Sequence, residues 1–157
     1  MKLSTPWLPV VAALMLLAAG CVAAQPDLAS IVKQDAASLD KGDVAAVAAH
    51  FAEDVELVAP PYCPPEVPCH GKAQVQHVFE QMATGGTTAT ITDQQVTGNT
   101  VKSRVEIRGG PAKAAGIDRF VYYKTVTFAG ELISKIVHEY DLSDEQTAKF
   151  LKWASAQ

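Results

Sequence analysis

Two hydrophobic periods divide the chain. Between residues 27 and 86 apolar side chains recur every three or four positions, and between 87 and 140 they alternate. Pro26 and Asp27 mark a helix start, with Asp27 as N-cap; Leu28, Ile31, Val32 and Leu39 follow at helical spacing, and Lys41-Gly42 closes the run. Asp43 caps a second helix in which Val44, Val47, Ala48 and Phe51 fall at i, i+3, i+4 and i+7. Val55-Glu56-Leu57-Val58 reads as a short strand. After Gly71 a third helix carries Val75, Val78, Phe79 and Met82, and Gly85-Gly86 stops it.

The second half is β. Residues 87–97 are rich in β-branched side chains, and Gly98-Asn99 sits where a two-residue hairpin turn belongs. Val101, Ser103, Val105 and Ile107 then alternate with Lys102, Arg104, Glu106 and Arg108, the pattern of an antiparallel strand with one wet face. A flexible loop over residues 109–116 leads into a strand over 119–128, and Ala129-Gly130 turns the chain into a last strand over 132–140. Ser143 with Gln146 predicts a capping box for a final helix docked through Phe150, Leu151 and Trp153. Helices followed by antiparallel strands give an α+β fold. The expected form is a curved antiparallel sheet packed against N-terminal helices, cone-shaped, with a C-terminal helix and a ligand site at the mouth.

Between the two halves lies a proline segment, Pro60-Pro61-Tyr62-Cys63 to Cys69-His70-Gly71. Its five prolines fix φ and remove donors, so it reads as a stiff loop and neither strand nor helix. Cys63 and Cys69 are expected to pair as a disulfide in an oxidising compartment. The Cys-x-x-Cys spacing of redox catalysts is absent.

The N-terminus points to that compartment. Lys2 precedes a short apolar run over residues 7–17, and Ala18-Ala19-Gly20 follows, the layout of a secretory signal peptide. The run is too short, and too interrupted by Pro6 and Pro9, for a membrane span. Leu17-Ala18-Ala19-Gly20-Cys21 resembles a bacterial lipobox, in which Cys21 is lipidated and becomes the mature N-terminus; cleavage after Ala24 is the rival. The expected division is a signal over 1–20, a linker over 21–26 and one domain over 27–157. That domain is extracytoplasmic, either lipid-anchored at the cell envelope through Cys21 or soluble in the periplasm. The whole chain of 157 residues carries a net charge of −4, and loss of Lys2 makes the domain one charge more acidic. With no basic stripe, nucleic acid is excluded as a partner. At 48% hydrophobic and 19% charged residues the chain is not disordered.

The phrases Lys41-Gly42-Asp43-Val44, Phe51-Ala52-Glu53-Asp54-Val55, His70-Gly71-Lys72 and the run from Ile133 to Tyr140-Asp141 together resemble the nuclear transport factor 2-like superfamily, and within it the SnoaL-like group. The resemblance covers residues 27 to 141. It implies the cone fold and a homodimer, and it spans isomerases, cyclases, hydrolases, dehydratases and binding modules. Ketosteroid isomerases of that superfamily carry an Asp base shortly after the Phe51-type phrase, where this chain reads Val58-Ala59-Pro60. Their oxyanion donors are a Tyr on the first helix and an Asp on a late strand; Asp35 and Lys124 align there. All three roles are vacant, which disfavours that chemistry.

The pocket candidates are His138, Tyr122, Asp118 and Tyr62. His138 alternates with Ile136 and Tyr140 on the last strand, whose opposite face is also apolar at Ile133 and Val137; a bulge would reconcile the two faces. Asp118 and Arg119 are expected to pair at the mouth. Tyr122 and Tyr123 point to opposite faces. Tyr62 would close over the pocket from the proline loop. His50 and His77 read as partly exposed helix residues, and four scattered histidines make no metal site. No cofactor is implied. The first functional reading is a binding domain for a small apolar molecule or an envelope partner. The second is a SnoaL-like enzyme, an isomerase, cyclase or hydrolase, using His138 with Asp118 or Tyr122.

Overall fold

The computed structural model describes residues 27–156. The expected signal over 1–20, the expected linker over 21–26 and Cys21 lie outside them. Five helices and six strands follow in the order α1 (Leu28–Asp40), α2 (Val44–Ala48), β1 (Phe51–Val58), β2 (Cys69–His70), α3 (Lys72–Ala83), β3 (Thr88–Thr97), β4 (Thr100–Arg108), α4 (Gly110–Ala114), β5 (Arg119–Ala129), β6 (Leu132–Tyr140) and α5 (Glu145–Ala154).

The caps explain the helix starts. Asp27 accepts from the Ser30 backbone N–H and Asp43 from that of Ala46, each satisfying one orphan donor of a first turn. The expected capping box is not formed. Asp144 caps α5 instead, through the Thr147 N–H, and Gln146 turns its Oε1 toward the backbone N–H groups of Asp118 and Arg119. The second helix is also shorter than its spacing suggests. It ends at Ala48, and Phe51 opens a longer first strand, because the Ile133 N–H bonds to the His50 carbonyl and begins sheet pairing there. The loop expected over 109–116 holds the short helix α4, anchored by buried Ala112. The proline loop contributes the two-residue strand β2 and a bridge between Ala59 and Cys63. Its disulfide joins Cys63 to Cys69.

The strands form one sheet in the order β2-β1-β6-β5-β4-β3. All neighbours are antiparallel except β1 and β6, which run parallel. A register shift between Thr127 and Phe128 supplies the bulge in the β5–β6 pair, so that Ile133 as well as Ile136 and His138 is buried.

Helices α1, α2 and α3 cover one end of the inner face. Val32, Val47, Phe51, Val55, Leu57, Val75, Phe128 and Ile136 form a core there. A second core gathers at the other end, where Phe150 of α5 stacks on Phe120 with ring centroids 4.0 Å apart. Thr147 locks α5 in place, its fully buried hydroxyl accepting from the Val121 N–H at 2.9 Å.

Candidate functional site

Cross-strand register sorts the inner face into rows. Val101, Val126 and Ile136 make an aliphatic row. Next comes a polar row, Ser103, Lys124 and His138, and then Val105, Tyr122 and Tyr140. The polar row lies between the two hydrophobic cores. Ser103, Lys124 and His138 are respectively 1%, 7% and 5% exposed, which makes this a buried polar layer and not a wet rim.

Asp35 faces it from α1. Leu28, Val32, Asp35 and Leu39 are the buried residues of that helix, so the carboxyl group occupies a core position of the apolar stripe. Its Oδ1 is 2.6 Å from Nδ1 of His50. Its Oδ2 is buried without a hydrogen-bond partner among the described residues, as are Oγ of Ser103 and Nε2 of His138. Buried polar atoms are almost always paired, because an unpaired one costs about 1–3 kcal/mol. Three of the five such atoms among the described residues surround this one layer, the others being on Gln94 and Arg119.

The electrostatics follow from burial. Desolvation raises the Asp35 carboxyl above its ordinary value, against the opposing pull of Lys124 and of the His50 hydrogen bond. Desolvation lowers the Lys124 ammonium, with Asp35 opposing. His138 is pushed down to about 3 by burial and by the neighbouring Lys124, so it is a neutral imidazole at physiological pH. Burial holds the phenol of Tyr122 above its usual range. Asp35, Lys124 and Tyr122 line one cavity, and perturbed groups gathered in this way are a recognised mark of functional sites.

Asp35 and Lys124 share a cavity of about 20 Å³ with Ala36, Leu39, Phe79, Ala89, Ile91, Val105 and Tyr122. That is room for about one water molecule. The Lys124 Nζ stands 5.8 Å from the centroid of the Phe79 ring. Ala36, Ala89 and Ile91 are only half-buried, so the cavity meets the surface between α1 and β3. There the Asp40 carboxylate accepts the Ala89 N–H at 2.6 Å and ties the helix end to the strand.

The residues singled out from sequence are placed as follows. His138 and Tyr122 come together, with ring centroids 4.2 Å apart. Tyr140, 5.9 Å from Tyr122, donates its hydroxyl to the Pro60 carbonyl at 2.7 Å. Asp118 is not with them. It is exposed at the start of β5, and the pairing expected with Arg119 does not form: the guanidinium binds Asp144 at 2.8 Å and Glu106 at 3.5 Å. Tyr62 is 41% exposed and lines an outer groove with Gln81, Gly110 and Trp153, away from the cavity. Tyr123 turns to the outer face, where Lys102 approaches its ring. His50 is no helix residue; it sits in the turn before β1 as the partner of Asp35. His77 stays exposed on α3. Among the described residues no three His, Cys, Asp or Glu side chains cluster as a metal site.

The resemblance aligns Asp35 and Lys124 with oxyanion-donor positions without making them pocket candidates, and His50 reads from the sequence as a helix residue. The signal for two of them is visible in hindsight. A charge stands at an apolar phase of a helix in Leu28-Val32-Asp35-Leu39, and of a strand in Phe120-Tyr122-Lys124-Val126-Phe128.

Compared with known families, residues 32–136 match the SnoaL-like domain. The chain belongs to that family. No curated protein sequence matches this SnoaL-like chain. Among solved structures it resembles SalBIII, described as an epoxide hydrolase/cyclase-like enzyme in pyran ring formation in the polyether salinomycin. The TM-score is 0.64 at 17% identity, over 74% of this chain and 92% of that one. A computationally designed 17-OHP binder matches with TM-score 0.62 and 14% identity, over 74% and 92% of the two chains. A putative ketosteroid isomerase from Kribbella flavida matches with TM-score 0.60 and 19% identity, over 75% and 80%. At these identities the likeness shows the SnoaL-like fold alone.

Proposed function

We propose that the interior of the cone is a small-molecule site, and that the ligand carries a polar group addressed by Asp35 and Lys124. The observation behind this reading is that Asp35, with one buried carboxyl oxygen left unpartnered, and the buried Lys124 line one small cavity together. A bound polar group would satisfy atoms that the fold leaves unsatisfied. With room for about one water molecule, the cavity admits a compact ligand only when α1 and β3 part at the Asp40–Ala89 tie. This adds a polar group to the expected small, apolar ligand. The name of the designed 17-OHP binder gives precedent for ligand binding by this fold, and that of SalBIII for chemistry on it.

A second reading, acid–base catalysis, is favoured by the short Asp35–His50 contact, because a carboxyl–imidazole pair can hold or pass a proton beside a bound molecule. His138 then acts as a neutral neighbour and not as the acid. Export remains part of the proposal, supported by the N-terminal pattern and by the Cys63–Cys69 bridge.

The test is a calorimetric and thermal-shift panel of compact polar molecules. It compares the unaltered chain with Ala36→Leu, which narrows the mouth. A ligand that stabilises the first and not the second supports the reading. Equal stabilisation of both chains places binding elsewhere and contradicts it.

A further inference from the structure

Lys124 invites a more specific assignment, which rests on the interior being a ligand site. Its side chain is held in place: Ser103 and His138 flank it across the strands, Tyr122 precedes it on the same face, and Phe79 packs beside the amine. Lys124 and Asp35 both line the cavity, and one oxygen of that carboxyl group is buried without a hydrogen-bond partner among the described residues. The charged and titratable groups around Lys124 are Asp35 from α1, His138 from β6 and Tyr122 from β5, with His50 behind Asp35.

We propose that Lys124 is a covalent capture site for small aldehydes or ketones, its amine condensing with a carbonyl group that enters between α1 and β3. The Nζ lone pair attacks the carbonyl carbon, a C–N bond forms and the C=O π pair moves to oxygen. One N–H proton passes to that oxygen to give a carbinolamine. The hydroxyl then leaves as water, taking a second proton, and the nitrogen lone pair closes the C=N bond. Amine and carbonyl become imine and water, with no oxidant or reductant. Asp35, which lines the same cavity, carries the protons in this scheme. Desolvation favours the neutral, nucleophilic amine, as in other lysines that form Schiff bases in apolar pockets.

The experiment uses the full chain at neutral pH with acetaldehyde and sodium cyanoborohydride, which traps each imine as an N-ethyl lysine, read by peptide mass spectrometry. Burial favours the neutral amine of Lys124, so it is expected to label at least about ten-fold faster than exposed lysines such as Lys33 and Lys149. Acetamide, a compact isostere that forms no imine, is titrated in parallel against the methyl resonances of Ile91 and Val105. Labelling of Lys124 at or below the exposed rate, with acetamide shifting those methyls, overturns the capture proposal and leaves the ligand site standing. Slow labelling with unmoved methyls removes both.

Discussion

Asp35 Oδ1 and His50 Nδ1 lie 2.6 Å apart, a contact that joins the middle of α1 to the turn before β1. His50 also holds β6, because its carbonyl accepts the Ile133 N–H at 2.7 Å. The pair therefore ties α1 to the edge of the β1–β6 pairing and partners one oxygen of Asp35. His50→Ala is expected to cost about 1–3 kcal/mol, since it leaves a buried carboxyl oxygen without its partner. Adding Asp35→Asn to that chain should cost little more, giving a coupling of about 0.5–3 kcal/mol in a urea-denaturation cycle. Strict additivity would mean that the contact carries no energy of its own.

His138 makes stability depend on acid. Unfolded, its imidazole takes a proton near the ordinary value of 6.5; folded, it resists until about 3. Between those values the unfolded chain binds more protons, so this contribution is fully present above 6.5 and is lost as pH falls toward 3. The slope is at most about 1.4 kcal/mol per pH unit. Asp35 works in the opposite sense, because its raised value lets the folded chain take a proton first. Urea midpoints for the unaltered chain should fall on acidification below pH 6.5, and His138→Gln should flatten that fall. Equal slopes for the two chains would show that His138 is not kept neutral by the fold.

The disulfide closes a short ring, with six positions separating Cys63 from Cys69. Loop-closure entropy assigns it about 2–2.5 kcal/mol. The chain with Cys63→Ala and Cys69→Ala should lose that much in denaturant unfolding and keep its circular dichroism, because β1 and β2 still pair at Leu57 and Cys69. A loss near zero would show that the proline loop holds its own shape.

Gly109 and Gly116 share a φ of +69° but differ in surroundings. A methyl group on Gly116 meets open space, so Gly116→Ala should cost only the left-handed backbone penalty, about 1–2 kcal/mol. On Gly109 it would run into the carbonyl oxygen of Gly86, and overpacking adds about 1–3 kcal/mol. Thermal unfolding of the two variants measures the difference, and equal losses would contradict the close approach of these loops.

Periodicity alone read most of this architecture. The hairpin at Gly98-Asn99 falls where β3 meets β4, and Val75, Val78, Phe79 and Met82 are the buried residues of α3. The limits have physical causes. Phe51 continues the spacing of α2, yet it is drawn into the sheet by the parallel pairing of β1 with β6, a contact between segments some eighty residues apart. Gln146 looks like a capping residue but serves the backbone of β5, across the interface with α5. The site was half legible. His138 and Tyr122 could be placed by alternation, whereas Asp35 and His50 meet only through the packing of α1 on the turn before β1.

The central claim, that the cone admits a compact polar ligand, is tested most directly by methyl-resolved NMR during titration with such molecules. The account predicts saturable shifts at Leu39, Ile91 and Val105, which line the cavity, and none at Val67, which is 71% exposed. Shifts confined to exposed methyls, with the three cavity residues unmoved, would contradict it.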